Sequence, residues 1–355
     1  MEYTTLDKIS ENLDSKRKPI TSSDRVEGEI PYYGASGIVD YVKDYIFDES
    51  LLLVSEDGAN LLARSTPIAF SVTGKTWINN HAHVLRFSNE NLQKFVEIYL
   101  NSISLESYVT GSAQPKLNQK MLNGIPIPVV DDSQIEIIVN SVENLKSIIE
   151  LRKQELACLD ELIKARFVEM FGDVQHEEKY KGIQLRELCT TMSGGTPSTK
   201  FPEYYEGDIP WISTVSLGPN YIDGTNAKGH ITQEAVDNSA TKLIPAGNIL
   251  FGTRVGVGKS SLNSVDICTN QDIVAIVGID ESKFNRLFIK HVLDAYQPYY
   301  DSIKKGATIL GITGDDLKDT LIPNVPIEIQ IEFEKFVHQV DKSKVVYQGY
   351  SQYIA

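Results

Sequence analysis

One pattern runs along this chain twice. IPYYGASGIVDYV (30–42), LLLVSEDG (51–58), INNHAHVLRF (78–87) and GSAQPKLNQKMLNGIPIP (111–128) return in the same order. Their second copies are IPWISTVSLGPNYID (209–223), ILFGTRVG (249–256), CTNQDIVAIV (268–277) and GATILGITGDDLKDTLIPNVP (306–326). The copies align at offsets of 179 for Ile30/Ile209, 198 for Leu51/Ile249, 190 for Asn80/Asn270 and 198 for Pro128/Pro326. A unit of this length is a duplicated domain, because solenoid repeats are only about 20–50 residues long. The 355 residues are enough for two domains of ordinary size, each with its own core. The expected division is a first module over 1–130, a spacer helix over 131–173, a second module over 174–327 and a shortened second helix over 328–355.

The stretches after the modules have a different period. Ile135, Ile138, Val142, Leu145, Ile149, Leu156, Leu159 and Ile163 alternate in steps of three and four if Arg152 and Arg166 fill two seam positions. No Gly or Pro interrupts 131–171, and Gly172 stands where a helix C-cap belongs. Phe333, Phe336, Val340 and Tyr347 continue the same spacing after the second module. The spacing predicts two helices that pair antiparallel as a coiled coil and hold the modules apart. The second seam has no counterpart for Cys158 to Gly172, so the strip from Leu159 through Ile163 to Phe171 is expected to lie exposed on the single chain, either hidden by self-association or held ready for a partner subunit.

A formal charge of −14, spread along the whole chain, argues against a protein that grips nucleic acid by bulk charge. Such a role needs local basic clusters or a partner that supplies phosphate contacts. Three dispersed cysteines form no CxxC pair, which favours a reducing compartment and gives no zinc spacing. With no signal-like start and no apolar run near 18 residues, a cytoplasmic protein without a membrane segment is expected.

Several catalytic patterns fail on inspection. NILFGTRVGVGKSS (248–261) has Thr253 where a phosphate-binding loop requires Gly, and no helical period follows it. No methyl-transfer [DN]PP[YF] motif occurs. Glu177-Glu178-Lys179 supplies half of a nuclease pattern with no Pro-Asp partner. His81 and His83 alternate on an expected strand without a nearby third ligand, and a satisfied pair is commoner there than a metal site. No catalytic residue, metal or cofactor is expected.

Short β-rich runs and one amphipathic helix per module give an α+β fold. MSGGTPSTKFPEYYEGDIPWIS (192–213) and the IPIP ending that leads into a helix resemble the target-recognition domains of type I restriction–modification specificity subunits (HsdS). The order of recognition domain, helix, recognition domain, helix extends the resemblance over essentially the whole chain. The first module departs from it, reading NLDSKRKPITSSD where GGTPS would stand. The resemblance implies a non-catalytic subunit that reads a two-part site in double-stranded DNA. It also implies two methyltransferase subunits clasping the helices, and restriction–translocase subunits completing the complex.

Base reading needs donors and acceptors on loops, with cations nearby for phosphates. Candidates in the first module are Lys16, Arg17, Lys18, Tyr32, Tyr33, Asn79, Asn80, Lys116 and Asn118. In the second they are Thr199, Lys200, Trp211, Ser213, Arg254, Lys259, Gln271, Lys304, Lys305 and Thr308. Each alone reads equally as a solvated or packing residue, and the aromatics Tyr32 and Trp211 as core. Two other functions compete: the recognition subunit of a solitary or other-type methylation system, and a nucleotide-dependent enzyme using Gly252–Ser260.

Overall fold

The computed structural model describes residues 2–111, 114–175, 179–306 and 308–351, with side chains as far as Lys344. The chain forms two compact units, Met1–Leu151 and Arg152–Ala355. Each mixes helix with sheet, and both follow one plan.

In the first unit a sheet runs in the order Glu11–Asn12, Ala82–Arg86, Leu51–Ser55, Ala69–Val72, all antiparallel. A second sheet, also of four strands, runs Gly37–Val42, Glu27–Gly34, Lys75–Ile78, Phe47–Asp48, with its middle pair parallel. The second unit repeats this as Thr190–Ser193, Ile273–Val277, Ile249–Gly252, Ser260–Asn263 and an added Tyr221–Ile222. Its second sheet is Gly229–Ile231, Ile209–Ile212, Cys268–Thr269, again with a parallel pair.

The LLLV run at 51–54 is continuous because its strand is covered on both faces. Leu52, Val54 and Leu85 enter the core beneath the helix Glu90–Ser102. Leu51, Leu53, Ala82 and Val84 enter the core shared with the second sheet. In the second unit Ile249, Phe251, Val274 and Ile276 face the helix Arg286–Ala295, while Leu250, Ile273 and Ala275 face the other way. The structure therefore matches Leu52 with Ile249, an offset of 197, and not Leu51. A one-residue slip exchanges the two faces of a strand, so the faces decide the register. The second correction is of the same kind. The parallel pairs Ile78 with Tyr33 and Thr269 with Ile212 make Asn79 the counterpart of Asn270, an offset of 191, and not Asn80.

Each unit is closed by a two-stranded ribbon, Tyr3–Thr5 with Pro126–Pro128 and Gly182–Gln184 with Leu321–Pro323. The register equates Pro128 with Pro323, not Pro326, an offset of 195. Residues 248–261 form a strand, a loop and an antiparallel strand, with Phe251 opposite Ser260. No helix N-terminus follows the loop to receive a phosphate.

The spacer helix spans Asp132–Phe171 and the final helix Ile327–Ser351. Ile135 and Val139 of the spacer pack into the first core. Its far end, Ile163, Phe167 and Phe171, packs into the second, against Phe288 and against Phe333, Val337 and Val340 of the final helix. The ion pairs Arg166–Glu332 (3.1 Å) and Asp160–Lys344 (2.6 Å) fix these helix portions as antiparallel.

The seam differs from the expected one in two ways. The strip expected to be exposed is 1–4% accessible at Ile163, Phe167 and Phe171. The final helix and Arg286–Ala295 both cover it, which a matching of helix to helix by sequence offset cannot anticipate. Leu145 and Ile149, expected inside, are 46% and 38% accessible, and Ile148 and Leu151 beside them are exposed too. Ile138, Val142, Leu156, Leu159 and Phe336 are half-buried, and Arg166 lies over the Phe336 ring. The side chain of Tyr347 falls outside the described residues. Among the described residues no helix is long and apolar enough to cross a membrane.

Replacing Phe333 by Ala should therefore cost about 3–5 kcal/mol in the second unit. Replacing Leu145 by Ala should stay within about 0.5 kcal/mol. Urea unfolding of the two variants checks the contrast.

Candidate nucleic-acid interface

The loops at one end of each unit are drawn together by a single residue that follows the central strand. In the first unit Glu56 donates its N–H to the carbonyl of His81 (2.9 Å) and accepts from the N–H of Leu117 (2.8 Å). In the second, Thr253 donates to Asp272 (2.8 Å) and accepts from Ile312 (2.8 Å). Two reciprocal backbone bonds close each neighbouring loop, Thr110 with Lys116 and Lys305 with Gly311. The second sheet joins through Asn79 N–H to Tyr33 O and Asn270 N–H to Ile212 O, both 3.0 Å.

The glycines of GGTPS follow from this crowding. A Cβ on Gly194 would lie 2.1 Å from the carbonyl of Asn270, and one on Gly195 2.4 Å from the nitrogen of Thr241. Only a chain without side chains can lie so close to its neighbours. The first unit has Ser15 and Lys16 at these places, and its loop turns outward as a short 3-10 segment, Asp14–Lys16.

Under this loop the first unit holds a charged cluster. His83, 1% accessible, meets the Asp14 carboxylate at 2.5 Å through Nδ1, and its Nε2–H donates to Leu117 O at 2.7 Å. Arg17 binds Glu56 (2.6 Å) and the Ala82 carbonyl (2.8 Å), and Lys116 reaches Glu56 at 3.1 Å. Burial raises the Asp14 carboxyl pKa, but the His83 hydrogen bond and charge, the Val84 N–H and Arg17 outweigh it and hold it below its usual range. Glu56 is also lowered, burial being outweighed by Arg17 and Lys116. Asp14, Glu56 and His83 are close enough to hold a metal ion. Their ligand atoms, however, already serve one another, Arg17, Lys116 and the Leu117 carbonyl. The second unit has Ser193, Thr253 and Val274 at the corresponding places, so the same backbone stands there without charge.

One side-chain contact is kept in both units with its carboxylate on the opposite loop. Asp57 meets His81 at 2.9 Å, and at the matching positions Arg254 meets Asp272 at 2.8 Å. Each pair ties the loop after the central strand to the loop before its neighbour.

The candidate residues divide on this frame. Lys16, Lys18, Asn80 and Lys116 are exposed around the cluster, while Arg17 is spent inside it. Tyr32, 1% accessible, accepts a hydrogen bond from Ile20 N–H under the Arg25 guanidinium. Tyr33 packs on Phe70. Asn79 is buried and turns the backbone by accepting from His81 N–H, and Asn118 caps a helical turn at Met121 N–H. In the second unit Lys259, Lys305 and Thr308 are exposed, as are Arg254 and Gln271, which meet at the Gln271 carbonyl. Thr199 and Lys200 are exposed beyond the GGTPS loop. Lys304 pairs with Asp301. Ser213 is buried, and Trp211 donates its indole N–H to Gly195 O from within a core of Tyr204, Ile231, Ala235 and Cys268. These side chains build the frame, where the sequence also allowed a surface role.

Sequence reasoning missed Asp14, Glu56, Asp57 and Asp272. Each pairs with a residue far along the chain or in another loop, and no local spacing announces that. Glu177 and Glu178 lie outside the described residues.

Residues 1–161 and 177–346 match the family described as the type I restriction modification DNA specificity domain. The chain belongs to that family. It is 27% identical to a putative type I restriction enzyme specificity subunit of Haemophilus influenzae, over 93% of this chain and 85% of that one. It is 26% identical to the EcoR124I/EcoR124II specificity subunit of Escherichia coli, over 72% of this chain and 64% of that one. Among solved structures, the S subunit of a type I system from M. genitalium aligns over 98% of this chain and 91% of its own, with TM-score 0.55 and 14% identity. A chain from a study of type I complex assembly and conformational transition aligns over 99% and 92%, with TM-score 0.57 and 15% identity. These two share the fold. The relatives do not favour the solitary-methylation reading.

The Asp14 cluster gives a signed pH dependence. Its folded carboxyl pKa values are depressed, so its stabilisation is full above the unfolded value of about 4 and is lost as pH falls through the lower folded values. Asp14→Asn should destabilise the first unit by about 3 kcal/mol at pH 7 and flatten its loss of stability between pH 5 and 3. Hydrogen-exchange protection of Leu51–Ser55 measures both.

Proposed function

We propose that this chain is the sequence-reading subunit of a type I restriction–modification complex, without catalysis of its own. Residues 1–130 and 174–327 each read one half of a two-part DNA site. The observation that carries this is the doubled frame, two loop clusters of equal construction with exposed cations on an otherwise acidic chain. Lys16, Lys18, Asn80 and Lys116 serve the first half-site. Thr199, Lys200, Arg254, Lys259, Gln271, Lys305 and Thr308 serve the second. Phosphate contacts fix the register and loop side chains read bases.

The helices 131–173 and 328–355 space the modules and dock two methyltransferase subunits, to which the restriction–translocase subunits are added. The exposed residues Leu145, Ile148, Ile149 and Leu151 give these partners, or a second copy of the chain, an apolar surface.

Exchanging residues 182–327 for those of another family member should alter one half of the methylated sequence and leave the other unchanged, as read by methylation-site sequencing of the assembled complex. A change in both halves would refute independent reading. Lys259→Ala with Lys305→Ala should weaken binding uniformly across sequences. It should also reduce the slope of log affinity against log salt by about one per lysine, measured by titration at several salt concentrations.

A further inference from the structure

The neighbouring loops of the second unit carry an aliphatic tip that the first unit lacks. Ile309 is 53% accessible, Leu310 57% and Val255 51%. The loop Lys305–Gly311 is closed by its two backbone bonds and pinned to the central strand by Ile312 N–H on Thr253 O. A Cβ on Gly311 would stand 2.7 Å from both Thr253 O and Arg254 Cγ, so this loop lies directly on the one that carries Val255. At the matching places the first unit has Gln114, Pro115 and Gly58. Exposed Lys259 and Lys305 flank the tip, and Arg254 is held at its base by Asp272.

Three exposed aliphatic side chains beside two exposed lysines suit a partner that is anionic outside and apolar at the point of contact. A protein groove would supply the apolar part, but the cations favour a polyanion. In the major groove of DNA the apolar feature that distinguishes one base pair from another is the thymine 5-methyl group. We infer that Ile309, Leu310 and Val255 read thymine methyl groups in the second half-site. This rests on the proposed DNA-reading role and assigns it a chemistry.

The test uses the assembled complex and its recognised duplex, with each thymine of the second half-site replaced in turn by deoxyuridine. Loss of one methyl contact should weaken binding about fourfold at one position or more. Ile309→Asn with Leu310→Asn should abolish that discrimination while changes at the other base pairs of the second half-site keep their full cost, which also shows that the second unit of the variant is folded. Equal binding of thymine and uracil duplexes by the wild type would overturn the inference, as would a second half-site without thymine, or unchanged discrimination in the variant. A rise in 2-aminopurine fluorescence without methyl discrimination would overturn it in favour of insertion between base steps. Absence of any sequence-specific binding would instead refute the DNA-reading role itself.

Discussion

The geometry of both loop clusters hangs on two backbone hydrogen bonds made by one residue, Glu56 in the first unit and Thr253 in the second. That residue leaves the central strand, gives its N–H to the loop before the neighbouring strand and takes the N–H that ends the five-residue loop. A buried backbone group without a partner is costly, so losing either loop would leave that residue with an unmet donor or acceptor. Because the bonds are backbone to backbone, the side chain at this position is free to change. It has changed, from a half-buried carboxylate to a hydroxyl whose Oγ1 donates to the Asp272 carbonyl.

The freedom to change explains how one frame supports two different surfaces. In the first unit the frame is backed by Asp14, His83, Glu56, Arg17 and Lys116, and in the second by neutral residues and glycine packing. The contacts Asp57 with His81 and Arg254 with Asp272 join the same two loops with the carboxylate on opposite sides. Reversal costs little where both partners are near the surface, since such pairs contribute little to stability. It changes what the loop presents to a ligand much more, placing a guanidinium where the other unit has a carboxylate. A recognition module needs this separation between what holds a loop and what the loop displays.

The duplication was legible in the sequence because each strand keeps its apolar run and its turn residues, and the mixed fold followed from it. The offsets were one residue off at Leu51 and Asn80 for a physical reason. A strand buried on both faces is apolar at every position, so LLLV and ILF can be matched in either register, and only the faces they meet decide between them. The GGTPS motif was visible, but its cause was not, since the atoms that forbid a side chain belong to residues some 45 and 75 positions away. Of the site residues, the exposed lysines could be placed from the sequence. Tyr32, Asn79, Arg17 and Trp211 could not, because a polar or aromatic residue in a loop reads alike whether it faces solvent or supports the loop from beneath.

The helices show the same limit at larger scale. A three-four spacing says that one face is apolar and says nothing of what covers it. Ile135 and Val139 meet the first core, and Ile163, Phe167 and Phe171 meet the second. Among the described residues, the stretch between them stays exposed at Leu145, Ile148 and Ile149. A helix whose ends are held by two different cores needs no intramolecular cover at its middle to remain helical, because packing at both ends supplies the stability that short helices lack. The apolar positions left there are not required by the fold of either unit.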